Sequence, residues 1–298
     1  MKEQRTPKRL RRAIVGAAVA FGLFVTIGTT QTGATAIPNT PVHVAYYLAL
    51  GGSGSLGVQP TIGHPKGQPT SSGYANDLSA LVRSRWSGLQ LVQLGCPGET
   101  TGSILAGGDH CRPAGQSQLA HAVSFLRSHS NVVSVTIDLG FNNILPCLAY
   151  HQLNETCVLQ NLATVRQQLT QILSTLRAAD PSLRIVGVGH YDPNLYAHIH
   201  SIAVQSLASA NIAVIDRLNE TLRMVDSAAG VPMANVGSAF ALANAVPTTL
   251  PNRTTAPKDL VRPCALTWAC TSPPLGNSHP NGDGYEVIAE AIADVVRT

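Results

Sequence analysis

Charge is scarce in this chain. Only 12% of its 298 residues are charged, and the formal balance is +4. Much of that excess sits in a basic lead of Lys2, Arg5, Lys8, Arg9, Arg11 and Arg12. The remainder is close to neutral, which excludes the basic surface that nucleic acid or an anionic membrane requires. Long apolar runs are missing too. The longest, Ala13–Gly28, falls short of the roughly 20 residues of a membrane span, and no other segment approaches it. No CxxC pair exists, and the only close histidines, His198 and His200, would point to different faces of a helix. Neither a metal nor a cofactor is therefore expected. Internal repeats are absent.

What is present begins with a leader. The basic lead, the apolar run and Ala34-Thr35-Ala36 follow the order of a secretory signal peptide, with cleavage expected after Ala36. An uncleaved N-terminal anchor is the alternative. Residues 37–298, about 260 in all, suit one domain of α/β size. All six cysteines follow the leader, and an even count in an exported chain implies disulfides, although six cysteines allow 15 pairings. Sequence-near pairing is the simplest choice: Cys96–Cys111, Cys147–Cys157 and Cys264–Cys270, each stapling one loop. Closing a loop of about 15 residues is worth roughly 3 kcal/mol in the chain-entropy model.

Hydrophobic patterning alternates between strand and helix. Strands are expected at His43–Leu50, Leu89–Leu94, Val132–Gly140, Leu183–Gly189 and Val231–Val236. Helices are expected at Tyr74–Trp86, Gln116–Ser128, around Leu162–Leu176, through most of Ile202–Asp226, and at the C-terminus with a cap near Asp283. Within that last helix but one, a strand at Asn211–Ile215 is the alternative. Strands separated by helices imply a parallel sheet covered on both faces. Ala243–Gly276 is Pro/Thr-rich and aperiodic, the composition of a binding loop or lid pinned by Cys264 and Cys270. Trp268 near its end is a candidate lining for an apolar pocket, or simply a buried aromatic.

The first strand ends abruptly in Gly51-Gly52-Ser53-Gly54-Ser55, then Gly57. Glycine reaches positive φ without a Cβ clash, so the backbone can reverse while Ser53 is presented at the strand's carboxyl end. Ligands of open parallel α/β sheets bind at that end. Three further blocks fall at strand ends or before the last helix: Gly95-Cys96-Pro97-Gly98-Glu99-Thr100-Thr101, Gly140-Phe141-Asn142-Asn143, and Ser278-His279-Pro280-Asn281.

With these four blocks in this order and His279-Pro280-Asn281 leading to Gly284-Tyr285, the chain resembles the SGNH, or GDSL-type, esterase/lipase family. In particular it resembles the secreted actinobacterial branch, whose cysteines flank the same blocks. The resemblance runs from about Ala45 to the C-terminus. It implies a three-layer α/β/α fold with a five-stranded parallel, flavodoxin-like sheet. It also implies Ser53 as nucleophile, His279 as general base, and an oxyanion hole from the N–H groups of Ser53 and Gly98 and the amide of Asn142. The chemistry needs these types: a serine hydroxyl attacks only when an imidazole takes its proton, and a tetrahedral oxyanion needs fixed donors. Ser55 matches a small residue that follows the family's turn and ranks below Ser53.

Three family carboxylates are missing. Gly52, Asn143 and Gly276 stand where the family carries aspartate. Loss of the first two is expected to loosen the turns. The third normally holds the imidazole through Nδ1, and removing it from a serine protease costs about four orders of magnitude in turnover. A Ser53–His279 dyad oriented by a main-chain carbonyl, that of Gly276 or one near Pro274, is the expected replacement. Asp283 more readily caps the last helix, and Asp192 shapes a turn. Two functions of different class follow. One is a secreted serine esterase or lipase acting on a small-molecule or lipid ester, as a monomer without a membrane span once the leader is removed. The other is a catalytically silent relative that binds an acyl or glycan ligand. Asn154, Asn219 and Asn252 open N-glycosylation patterns; with a bacterial-type leader and family they are read as chance.

Overall fold

Five parallel strands carry the site at their carboxyl ends. In the computed structural model, which describes residues 44–149, 152–192, 205–249, 255–270 and 277–297, they are β1 (Tyr46–Gly51), β2 (Gln90–Gln93), β3 (Val132–Asp138), β4 (Ile185–Val188) and β5 (Met233–Ala234). Their spatial order is β2-β1-β3-β4-β5, with every pair parallel. The chain leaves β1 in one direction to make β2 and crosses back to make β3. A crevice therefore opens between the ends of β1 and β3, the switch point where such sheets bind ligands.

Helices cover both faces. They are α1 (Tyr74–Val82), α2 (Thr101–Ala106), α3 (Gln118–Ser128), α4 (Glu155–Ala179), α5 (Gln205–Ala228), α6 (Lys258–Leu266) and α7 (Gly282–Arg297). Strand alternation sends Leu48, Leu50, Val135 and Ile137 into one core with α2–α5. It sends Tyr47, Ala49, Val186 and Val188 into a second core with α1 and α7. Neither core is built without the sheet between them.

Side-chain caps set where the helices start. Thr100 and Ser103 form a reciprocal capping box on α2. The Ser117 hydroxyl accepts the Ala120 N–H at 3.0 Å, and the Asn154 amide oxygen accepts the Cys157 N–H at 3.0 Å. At α7 the cap is Asn281, whose Oδ1 accepts the Gly284 N–H at 2.9 Å. The expected capping residue, Asp283, is instead an exposed residue of the first turn. Asn154 is thus engaged as a cap, and Asn219 is buried, which suits chance glycosylation patterns at both; Asn252 lies outside the described residues.

Asn211–Ile215 is helical, inside α5, as the main reading of that segment has it, and the strand alternative falls away. Sequence and structure part in three further places. A hairpin of Gln59–Thr61 and His64–Gln68, unforeseen from the pattern, follows the Ser53 turn. Ala243–Gly276 is not aperiodic: it holds the hairpin Pro247–Thr249/Thr255–Pro257 and then α6. Pro263 lies inside α6 and hides its helical signal. Most expected strand ends retreat by one to three residues, as at the end of β3, where Leu139 and Gly140 already turn away from the strand, whereas β1 runs one residue further, to Gly51.

The three sequence-near sulfur pairs, Cys96–Cys111, Cys147–Cys157 and Cys264–Cys270, are bonded. Among the described residues no helix is long and apolar enough to cross a membrane. The expected leader, its cleavage point at Ala36, and His198 and His200 lie outside the described residues.

One buried carboxyl tests the sheet–helix packing. Asp226 of α5 faces Ile137, Leu169 and Leu222 around a cavity of about 10 Å³. Burial pushes its pKa up to about 7. A raised carboxyl contributes stability below its unfolded pKa and loses it as pH rises through the folded value. Asp226→Asn should therefore stabilise the protein more at pH 8.5 than at pH 5, by about 2 kcal/mol. Urea melts at the two pH values would measure it, and an equal change at both would show that desolvation of this carboxyl is not at work.

Candidate active site

Glycine geometry delivers Ser53. Gly51 has φ +129°, and a Cβ there would stand 2.1 Å from the Asp138 carbonyl oxygen. Only glycine lets β1 end so close to β3. The Gly52 N–H donates to that same carbonyl at 3.1 Å, and Ser53 then opens a 3₁₀ turn, Gly54–Leu56. The Ser53 carbonyl accepts the N–H groups of Leu56 and Val58, which closes the turn. Ser55 is excluded as a nucleophile by its setting: its hydroxyl is fully buried and donates to the Gly52 carbonyl at 2.8 Å.

A side-chain amide holds this turn where the family carboxylate is missing. Gln118 Oε1 accepts the Gly51 N–H at 2.6 Å, and its Nε2 donates to the Gly51 carbonyl at 3.2 Å and to Glu99 Oε2 at 2.7 Å. Glu99 belongs to the block that carries Gly98, so one amide ties the Ser53 turn to the expected oxyanion loop. Burial raises the Glu99 pKa, against hydrogen bonds from Ser103 and Gln118. Gly98 has φ +81°, in a turn anchored by the Cys96–Cys111 bridge.

Asn142 follows β3. Its Nδ2 donates one hydrogen to the Glu99 carbonyl at 3.0 Å, leaving the second amide hydrogen for the cavity. Asn143 keeps the supporting role expected to be lost with the carboxylate. Its Oδ1 accepts the Thr101 N–H at 3.0 Å and its Nδ2 donates to Thr101 Oγ1 at 3.0 Å. Thr101 in turn donates to Gln168 Oε1 at 2.6 Å. The turns are therefore tied by neutral amides rather than loosened.

His279 precedes α7, with its carbonyl accepting the Trp268 N–H at 3.0 Å. The expected orienting carbonyls, at Gly276 or near Pro274, lie outside the described residues. The acceptor that the structure does place on the imidazole is the side chain of Asn277. Its Oδ1 accepts the His279 backbone N–H at 2.9 Å and lies 3.0 Å from Nδ1. Asn277 Nδ2 donates to the Pro65 carbonyl at 3.1 Å, which fixes which end of the amide faces the ring. The ring hydrogen therefore sits on Nδ1, and Nε2 keeps its lone pair. Asn277 went unread because it stands two residues before His279 rather than at the family's three. A local signal existed: asparagine commonly accepts from the N–H two residues on.

Ser53, Gly98, Asn142 and His279 all line one cavity of about 340 Å³ at the β1/β3 crevice. The unforeseen hairpin contributes Lys66 and Gln68 to its wall, while Leu139, Phe141 and Val236 supply apolar surface. No described residue of 243–276 lines it. Trp268 instead donates its indole N–H to Gln59 Oε1 at 3.3 Å. Asp283 is exposed, and Asp192 is buried beside Tyr191. Burial lowers the His279 pKa from its ordinary value to about 4, so the imidazole is neutral at pH 7.

Comparison with known proteins gives one family and a shared fold. A family model described as GDSL-like Lipase/Acylhydrolase matches residues 49–287. No curated protein matches the sequence. The structure is similar to an extracellular lipase from Streptomyces rimosus at 18% identity, covering 84% of this chain and 99% of that one, with a TM-score of 0.53. It is similar also to a lipase from a goat-rumen metagenome at 17% identity, covering 84% and 97%, with a TM-score of 0.54. At these identities the likeness is one of fold.

The amide–imidazole contact makes a direct prediction. In Asn277→Asp a carboxylate would replace a neutral oxygen 3.0 Å from Nδ1, and an adjacent negative charge favours imidazolium. The His279 midpoint, followed by NMR of its ring protons, should rise from about 4 by roughly one to three units. An unchanged midpoint would mean that Asn277 does not face the ring in solution.

Proposed function

The chain belongs to the GDSL-like lipase/acylhydrolase family, and from that premise we propose that it is a secreted serine esterase working through a Ser53 acyl-enzyme. In this reading Ser53 Oγ attacks the ester carbonyl while His279 Nε2 takes its proton. The oxyanion is held by the N–H groups of Ser53 and Gly98 and by the free amide hydrogen of Asn142. His279 returns the proton to the departing alkoxide. Water, activated by the same nitrogen, then releases the acid and regenerates Ser53.

One observation carries the proposal: the His279–Asn277 hydrogen bond, with Asn277 anchored on Pro65, in a cavity that Ser53 shares. An asparagine in the third position of a serine protease is damaging because it stabilises the wrong tautomer. Here the amide nitrogen is committed to Pro65, so the oxygen faces Nδ1–H and the tautomer is the productive one. What the arrangement lacks is only the negative charge that would stabilise imidazolium. The silent-relative reading drew its weight from the missing carboxylate, and this acceptor removes much of that weight. The cavity's size and apolar wall suit a short or medium acyl chain. The leader and three disulfides fit export to an oxidising compartment.

Purified protein should hydrolyse p-nitrophenyl acetate and butyrate, and Ser53→Ala should abolish the activity. Asn142→Ala should lower kcat by about a hundred- to a thousandfold. No hydrolysis by the parent, or hydrolysis that survives Ser53→Ala, would remove the proposal. Because only the neutral imidazole accepts a proton, kcat/KM should rise through pH 4 and stay level toward neutrality. An acid limb near pH 6.5, the ordinary value for histidine, would contradict a buried base.

A further inference from the structure

One residue accounts for two of the glycines around Ser53. Asp138 closes β3, in register with Gly51. A Cβ on Gly51 would stand 2.1 Å from the Asp138 carbonyl oxygen, and one on Gly54 would stand 2.3 Å from its Oδ2. The chain thus omits a side chain before and after Ser53 to let this aspartate approach. Its main-chain carbonyl accepts the Gly52 N–H at 3.1 Å. Burial raises the pKa of its carboxyl, against the His190 ring and the Ser55 N–H, which both favour the charged form. His190 backs the carboxyl from the end of β4, with Nδ1 3.8 Å from Oδ1. That ring is itself held: its Nε2 lies 2.8 Å from the Leu139 carbonyl oxygen, and Asn219 clamps its backbone through two hydrogen bonds of 2.8 Å.

Ser53 occupies the position that caps the 3₁₀ turn Gly54–Leu56. A serine there ordinarily turns its Oγ back to accept an N–H two or three residues on, which would engage the lone pairs needed for attack. In this turn the Ser53 side chain makes no such bond. The Leu56 N–H goes to the Ser53 carbonyl instead, and the Ser55 N–H meets the Asp138 carboxyl. We propose that Asp138 is a positioning residue for Ser53: its main chain fixes the turn before the serine, and its carboxylate takes the Ser55 N–H after it, leaving Ser53 Oγ free for His279. Asp138 acts through the backbone and does not touch the reacting atoms. The assignment adds a residue to the esterase reading and rests on it.

The test is a double-mutant cycle read in p-nitrophenyl butyrate hydrolysis. Asp138→Ala should lower kcat by about ten- to a hundredfold with KM little changed, because the aim of the serine is lost while ground-state binding is not. Gly54→Ala leaves Asp138 in the chain but puts a methyl where its carboxyl stands, and should act alike. Once Asp138→Ala has removed that carboxyl, adding Gly54→Ala should cost little more. Asp138→Asn should restore most of the loss, since an amide oxygen still accepts the Ser55 N–H. A rise in KM in place of the fall in kcat, losses that simply add in the double variant, or an Asn variant no better than Ala each overturn the assignment and leave the esterase standing. Should the parent hydrolyse no ester, the esterase reading fails by itself, and hydrogen exchange of the Ser55 amide tests the contact directly. That exchange should quicken at least about tenfold in Asp138→Ala and stay slow in Asp138→Asn. An unchanged Ser55 rate in Asp138→Ala overturns the assignment.

Discussion

The Oδ1 of Asn277 accepts from the backbone N–H of His279 and faces its Nδ1, while the same residue's Nδ2 is spent on Pro65. Everything proposed for the imidazole follows from that neutral oxygen. It holds one tautomer without adding charge, so desolvation acts unopposed and the ring stays neutral well below pH 7. An imidazole so placed keeps a free lone pair at neutral pH but gains no ion pair on taking up a proton. The hairpin that supplies Pro65 also walls the cavity, so the orientation of His279 depends on a segment more than two hundred residues before it.

The same substitution of amide for carboxylate recurs around the site. Gln118 brackets both backbone groups of Gly51, Asn143 binds Thr101 through both ends of its amide, and Gln168 receives the Thr101 hydroxyl. An amide both donates and accepts, so a short network can be satisfied without burying charge, which is costly unless paired. A chain with only 12% charged residues has built its turns accordingly. Asp138 is the exception, and Gly54 has given up its side chain to admit it.

Much of this was legible beforehand, for identifiable reasons. Buried parallel strands read as continuous apolar runs, and α4 repeats its apolar residues at helical spacing, so their existence followed from pattern alone. Short, polar and proline-bearing elements did not. The Gln59–Gln68 hairpin is held by strand pairing and by contacts to Asn277 and Trp268, none of which leaves a periodic trace. In α6, Pro263 contradicts the helix it occupies. Gln118 looked like any first-turn helix residue, because its partners, Gly51 and Glu99, come from other segments.

The amino-acid order alone determined the alternation of elements, the serine turn with its glycines, and the four blocks that mark the family, because each is a local property of spacing and residue type. It also showed which carboxylates were missing. Only the tertiary structure decided what stands in for them, since an amide reveals its partner only when distant backbone reaches it. Hydrogen bonds between segments depend on three-dimensional distance, and sequence separation says nothing of that. Hence Asn277 and Gln118, silent in the chain, became the residues that hold the site together.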